Sequence, residues 1–579
     1  MTNAWLHRVS PVAAVAGALC SAAGFASPAA AQQCPAQISV SSSVPAGPCV
    51  DGATGFIKAQ QAAVFAWNSF IAYNWPALTA TREQPDPAAK FGAGGTTVWQ
   101  TTRAKVEVYP GTGSAMVGPH GWQKGPPDYG YADPPAYFYS PEKVGTPTGQ
   151  IEACSGQTPV ATPAWVPLDE TTQIGNNQTY AGVLPAVDPT GRNSQPQLIR
   201  YAVKMNEAFY SYIAQSKFWY GLGTAGAPLD TAVTNYVNQL AQGQSQDPPS
   251  PFVEFPTNPA PSFEFKSSWR PLTAQEASSG RFHTDTVRYY EEDAQGKPCY
   301  REDVWGLVGL HVISFTQAAP WVVWSTFEQA DNILTADGQP TEDPTGKLLG
   351  PAPASPTSPA LTSDPSQVDP KVVIAGDQGY CTQPGSRLFF RENPFYGTMP
   401  SDGNICVDGR WHAISDDIVA INATAHAAIS SYLASNGMTS SPWLYYKLVN
   451  VQPAPIDKSS VTDANRASYY TANSTIETDY SLGMFSGNLV NGAPSDVVAG
   501  PNGTTVPYYN NQLLPFQNRR LGSLAEPLNM GGCAGCHGFA ATIGQNFSFA
   551  LGNNVEKPEA PDAFVHKSAF RDYLSTQAQ

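Results

Sequence analysis

Apolar residues recur at helical spacing in several stretches of the chain. Across 55–75, Val64, Trp67, Ile71 and Trp75 stand three and four residues apart, so they share one helix face, and Pro76 closes the run. Ile414, Ile418, Ile421, Ala425 and Ile429 predict a second helix over 412–436. Helices are also expected over 197–220, after Pro196 and carrying Tyr201, Met205, Phe209, Tyr212 and Phe218, and over 229–242 and 462–478. Strands have a different signature. Phe263-Glu264-Phe265-Lys266 alternates, and 281–290 alternates more weakly. The runs 304–316 (VWGLVGLHVISFT), 321–327 (WVVWSTF) and 444–451 (LYYKLVNV) are continuous and rich in β-branched and aromatic residues, as strands covered on both faces are.

Between these elements the chain is loop-rich. Residues 77–165 are full of Pro, Gly and Tyr, prolines crowd 248–261, and 335–370 reads as an excursion or mobile loop. The expected class is α+β: helices packed with a mainly antiparallel sheet. The expected parts are 32–250 (helical and loop-rich), 251–460 (sheet-containing) and 461–579.

Charge and cysteine usage narrow the setting. A net charge of −15 on 579 residues disfavours nucleic acid and anionic membranes as partners. Residues 1–31 read as a secretory leader: His7 and Arg8, an apolar stretch from Val12 to Ala26, then Ala29-Ala30-Ala31. No later run is long enough for a transmembrane span, so a periplasmic or secreted protein is expected. Setting aside Cys20 in the leader and the two cysteines discussed next leaves Cys34, Cys49, Cys154, Cys299, Cys381 and Cys406. An even remainder in an exported chain suggests disulfides, with free buried thiols as the alternative. Loop closure favours Cys34–Cys49 and Cys381–Cys406, which leaves Cys154 with Cys299.

The most specific chemistry is Cys533-Ala534-Gly535-Cys536-His537, the C-x-x-C-H attachment signal for c-type haem. Two thiols at this spacing can each add across one vinyl group of a porphyrin, and the adjacent imidazole can reach the iron. A thioredoxin-like pair would open a helix after a strand in a βαβ unit, and half a zinc site would need a second ligand pair nearby; neither context is present. The motif lies late in the chain, and the last methionine, Met530, precedes it on the tether side. A simple class I cytochrome c domain, with its methionine far downstream, is therefore disfavoured. A C-terminal haem-bearing segment docked on the rest of the chain is expected instead.

His311, in the apolar run 304–316, is the first candidate for a distal ligand. The blander alternative is a hydrogen-bonded core histidine. His426, His566, Met484 and an open iron are weaker options; His412 lies about 21 Å along the same helix from His426, too far to share an iron. Other signals are thin. His283-x-Asp285 and Glu291-Glu292-Asp293 read better as a solvated acidic face, and Glu328 better as a sheet-capping carboxylate than as a proton-transfer group.

Several stretches together carry a resemblance: Phe65 to Pro76; Gly309-Leu310-His311-Val312 with Pro320-Trp321 and Trp324 to Glu328; Asn473 to Thr478; the C-x-x-C-H motif; and Phe547-Ser548-Phe549. The chain resembles large exported bacterial proteins of the cytochrome c family with one haem motif near the C-terminus. The resemblance implies covalent haem at Cys533 and Cys536 with His537 as iron ligand. It supplies no substrate, and where that pattern has a charged group after the Phe-Glu pair, this chain has Gln329.

Three functions are therefore weighed. The first is a periplasmic c-type cytochrome carrying electrons to or from a redox partner protein. The second is a haem-dependent oxidoreductase, oxygenase- or peroxidase-like, acting on a small molecule at an open iron site. The third is a structural or sensory haem in a binding protein.

Overall fold

The apolar run at 304–316 becomes the second half of the longest strand, around which the sheet is built. The computed structural model describes residues 37–50, 57–109, 131–139, 144–171, 178–181, 197–219, 225–241, 252–293, 295–333, 340–350, 391–392, 413–453, 456–457, 473–476, 496–499, 505–508 and 528–529, with 533, 537, 540, 544, 546, 548–551 and 561.

Among the described residues the main sheet has nine strands: β1 (Arg103–Ala104), β2 (Glu152–Ala153), β3 (Val166–Leu168), β4 (Arg200–Met205), β5 (Ser262–Arg270), β6 (Thr284–Glu292), β7 (Pro298–Thr316), β8 (Ala319–Gln329) and β9 (Tyr446–Gln452). Its central order is β1-β4-β5-β7-β8-β9, antiparallel throughout. β6 lies antiparallel to the first half of β7, while β2 on β7 and β3 on β6 are parallel. The class is thus α+β with a mixed, mainly antiparallel sheet.

Two helices cover one face: α1 (Ala59–Tyr73) and, with α2 (Glu207–Ser216) and α3 (Pro228–Ala241) intervening in the chain, α4 (Asp416–Ser435). α1 is apolar almost all round and is buried accordingly. Phe70 stacks on Phe327 of β8 at 4.3 Å, and Trp67 meets the same ring edge-on at 5.1 Å. One buried amide ties three elements of this layer. The Asn422 side chain on α4 accepts from Trp67 Nε1 (2.8 Å) and from the Leu448 N–H of β9 (3.1 Å), and donates to the Leu448 carbonyl (2.9 Å).

α2 and α3 belong to a second cluster on the opposite face. Phe209, Ile213, Leu229 and Val233 pack there with Met205, Ile313, Phe315 and Trp324 of the sheet. The expected helix over 197–220 is half right. Tyr201, Val203 and Met205 also fit a step of two, and they form β4. The Asn206 side chain then accepts from the Phe209 N–H at 3.2 Å, so the helix starts only at Glu207.

Two further expectations change. The described part of the 335–370 excursion, 340–350, is packed: Glu342 is buried against the Lys447 ammonium, and the Thr345 carbonyl accepts from Asn422 at 2.8 Å. A buried ammonium needs a carboxylate, and this loop supplies one. Of the helix expected over 462–478, residues 473–476 form a turn, because their polar groups bond to the sheet; 462–472 and 477–478 lie outside the described residues.

Cys154 and Cys299 are joined by a disulfide, S–S 2.00 Å, which locks β2 to the start of β7. Cys49 is also disulfide-bonded. Cys34, Cys381 and Cys406 lie outside the described residues. No helix among the described residues is long and apolar enough to cross a membrane.

Candidate functional site

Strand register sorts the side chains of the second face into rows across the sheet. Residues paired directly opposite point the same way, and every second residue along a strand does too. Taken over β4, β5, β7, β8 and β9, one row is Met205, Glu264, Ile313, Trp324 and Gln452. The next is Val203, Lys266, His311, Thr326 and Asn450. The third is Tyr201, Ser268, Gly309, Glu328 and Lys447. The opposite face of the same strands carries Phe263, Phe265, Val312, Val323 and Phe327. One side of the sheet is therefore mainly apolar, with Lys204, Ser267 and Ser325 buried in it, and the other is a floor on which polar and charged groups stand beside a second apolar cluster.

The third row is sealed by the turn 473–476. Asn473 Nδ2 donates to Thr326 Oγ1 (3.0 Å) and to the Phe327 carbonyl (2.8 Å). The Ser474 N–H and hydroxyl both donate to Glu328 Oε2 at 3.0 Å. Thr475 Oγ1 and Ser268 Oγ are 2.8 Å apart, and the Tyr201 hydroxyl donates to the Thr475 carbonyl at 2.9 Å. Glu328 and Lys447 are fully buried at 3.5 Å, and Glu342 closes the group on the other side of the ammonium. Two carboxylates thus share one ammonium, and the Ser474 donors offset the extra negative charge. The sheet-capping reading of Glu328 is too simple, since this carboxylate anchors a segment from far along the chain.

Gly309 is the point of closest approach. A Cβ there would stand 2.5 Å from Ser268 Oγ, 2.6 Å from Thr475 Oγ1 and 3.1 Å from Asn473 Oδ1. Gly309→Ala is expected to force the 473–476 turn off the sheet and to lower stability by about 1–3 kcal/mol, read from the urea midpoint. An unchanged midpoint would mean that the turn does not dock there in solution.

Of the C-x-x-C-H motif Cys533 and His537 are described, and His537 lies over the first row. Residues 533, 537 and 540 each have helical backbone. Cys533 is partly buried and packs against the second cluster. The His537 ring lies 4.2 Å from that of Trp324, tilted by 39°, and 4.8 Å from that of Phe549. The segment after the motif is pinned down. The Ser548 hydroxyl donates to Glu264 Oε2 at 2.7 Å and accepts from the Ala550 N–H at 3.1 Å; Ala550 and Leu551 are buried. Burial pushes the Glu264 carboxyl above its ordinary value, while the Ser548 hydrogen bond and the Lys266 charge pull it back only in part. At Gly544, φ is +84° and a side chain would press on Tyr236 of α3, so a glycine lets the chain pass close to that helix.

His311 stands on the same face as His537. It pairs with Thr326, two residues from Trp324, which puts it diagonally about 7–8 Å from the residue on which His537 rests. It is only partly buried. His426 is corrected. It lies on the α1/α4 side, its Nε2 2.8 Å from the Tyr446 carbonyl and its ring edge-on to Trp67, so the whole sheet separates it from His537. His283 is also on that side. Its Nε2 is 3.2 Å from Gln100 Oε1, its ring stacks on Trp443, and burial pushes its pKa down to about 3. Glu291 pairs with Arg301 at 2.7 Å. Gln329 Oε1 accepts the Asp331 N–H, a turn-capping role. Among the described residues no group of three His, Cys, Asp or Glu could hold a metal ion. Cys536, His412, Met484 and His566 lie outside the described residues.

The sequence had marked Cys533, His537, His311 and Glu328 separately, whereas Lys266, Thr326, Asn450 and Lys447 were missed. Their only sequence signal is a polar residue at every second position of an otherwise apolar strand. That signal needs strand register before it singles out one face. No family model, curated protein or solved structure matches this chain.

Proposed function

We propose that this chain is an exported c-type cytochrome that holds one haem c through Cys533, Cys536 and His537 and passes electrons through it to or from a redox partner. The observation that carries the reading is the placement of Cys533 and His537. They lie against an apolar wall and beside a polar floor that bears a second histidine. The residues present suit the group. Thiols at this spacing suit the two thioether bonds, and the Trp324 and Phe549 rings restrict rotation of the His537 imidazole beside the apolar cluster against which Cys533 packs. Bound haem would supply a one-electron couple at its iron. The chain's own part is to orient His537, to limit water over the first row, and to present His311 on the same face as the candidate sixth ligand.

A haem-dependent oxidoreductase remains as a second reading, favoured by one observation. His311 and Lys266 are partly exposed in the middle of the polar floor, as residues meeting a small molecule would be.

The test is export with co-expressed haem-attachment machinery, then haem staining on a denaturing gel. The parent band is expected to stain and Cys533→Ala/Cys536→Ala to lose all stain. An unstained parent sinks the reading. For the stained protein, a reduced spectrum indifferent to carbon monoxide supports the carrier, and a carbon monoxide complex supports the enzyme. His311→Ala is expected to open the iron to carbon monoxide; an unaltered spectrum would leave His311 as a floor residue only.

A further inference from the structure

Among the described charged side chains of the polar floor, one makes no ion pair and no hydrogen bond. Lys447 has Glu328 and Glu342. Glu264 has Ser548, and Lys105 at the sheet edge has Glu170. Lys266 lies at the centre of the middle row, flanked by Val203 on β4 and His311 on β7. It is partly buried, and among the described residues no hydrogen bond or ion pair ends on its ammonium. The nearest carboxylate on its own strand is Glu264, two residues along on the same face. That group is buried and its Oε2 already accepts from Ser548; the Lys266 charge acts on it from a distance, without an ion pair between them. Among the described residues His311, Glu264 and Lys266 are the titratable groups in these two rows, with Tyr109, Lys105 and Glu170 in electrostatic reach of Glu264; β4 contributes Val203 and Met205, and β8 contributes Thr326 and Trp324.

A lysine head on a sheet face with no ion-pair partner can take an anion that reaches it. Lys266 is two strands and two residues from Trp324, hence about 12 Å from the residue on which His537 rests. We propose that Lys266 is the anion-recognition group of this face and that its ammonium takes a carboxylate brought into the site. The inference rests on the haem reading above, under which the carboxylate is a propionate of the haem itself; a small carboxylate entering as substrate would satisfy the same chemistry.

The experiment uses the matured, full-length protein and compares Lys266→Gln and Lys266→Arg with the parent. Haem midpoint potentials are measured across pH, and acetate is titrated while the Soret band is followed. If the carboxylate is a propionate, Lys266→Gln keeps its covalent haem, lowers the midpoint potential because a nearby cation is gone, and alters its pH dependence; Lys266→Arg restores both. If the carboxylate comes from solution, the parent shows a saturable acetate response that weakens at least about tenfold in Lys266→Gln, the loss of one charge-assisted hydrogen bond. Neither effect in a haem-loaded variant overturns the proposal, as does a change that Lys266→Arg fails to reverse. Should the parent carry no haem, the reading beneath the proposal fails. Acetate titration followed by tryptophan fluorescence then decides Lys266 alone, with no difference between parent and Lys266→Gln counting against it.

Discussion

Glu107→Ala is expected to destabilise the fold by about 3–5 kcal/mol, enough to unfold a marginal domain. Glu107 is buried between two guanidinium groups, Arg82 Nη2 at 2.8 Å and Arg103 Nη1 at 2.9 Å, and its oxygens also accept the N–H groups of Ala104 and Ala136. Removing the carboxylate leaves two buried cations facing each other without a counter-charge. A third cationic group, Lys204, lies against the Gln100 and Trp165 carbonyls; burial pushes its pKa well down, Glu107 opposes that, and the two arginines add to it. The cluster fastens the loop around 82 and the 131–136 segment to the edge of the sheet, next to β1 and β4.

The same group gives the fold a dependence on acid. Burial works to raise the Glu107 pKa, but Arg82, Arg103 and Lys204 outweigh it and hold the pKa below the ordinary value. A carboxylate whose folded pKa is depressed contributes stability that is fully present above its unfolded pKa and lost as pH falls through its folded pKa. Urea midpoints are therefore expected to fall below the ordinary carboxylate range in the parent. In Glu107→Gln they should start lower and fall less. Parallel pH profiles for the two proteins would contradict this assignment.

Removing the Cys154–Cys299 bond has an effect of similar size. The bond spans a sequence separation of 145, so by the loop-entropy estimate its loss from the unfolded chain costs about 5 kcal/mol of stability. In the folded state it joins β2 to the first residues of β7, the strand on which the rest of the sheet is paired. Cys154→Ser/Cys299→Ser is expected to melt well below the parent, and reductant should lower the parent to the same point. A parent indifferent to reductant would show that the ends of this loop stay together without the bond.

Some of this was legible in the chain. The helical spacing of Val64, Trp67 and Ile71 and of Ile418, Ile421, Ala425 and Ile429 marked α1 and α4, because helices buried against a sheet need a continuous apolar stripe. The β-branched runs marked β7, β8 and β9 for the same reason. Over 197–205 two periods fitted the same apolar residues, and pairing with β5 decided for a strand. The turn at 473–476 was misread as helix because its polar side chains find their partners on the sheet, far away in sequence.

By itself the sequence determined the local chemistry: a C-x-x-C-H motif, a histidine inside an apolar strand, and an even set of cysteines in a chain read as exported. These are statements about neighbours along the backbone, where spacing is fixed by covalent geometry. Only the tertiary structure decided which residues share a face. Alternation tells that His311 and Val312 point apart, but not which of them faces His537. That depended on the register of five strands, on the helices that filled the opposite side, and on Trp324 receiving the His537 ring. The same register made His426 a residue of the other layer and brought Lys266, unmarked in sequence, to the centre of the floor.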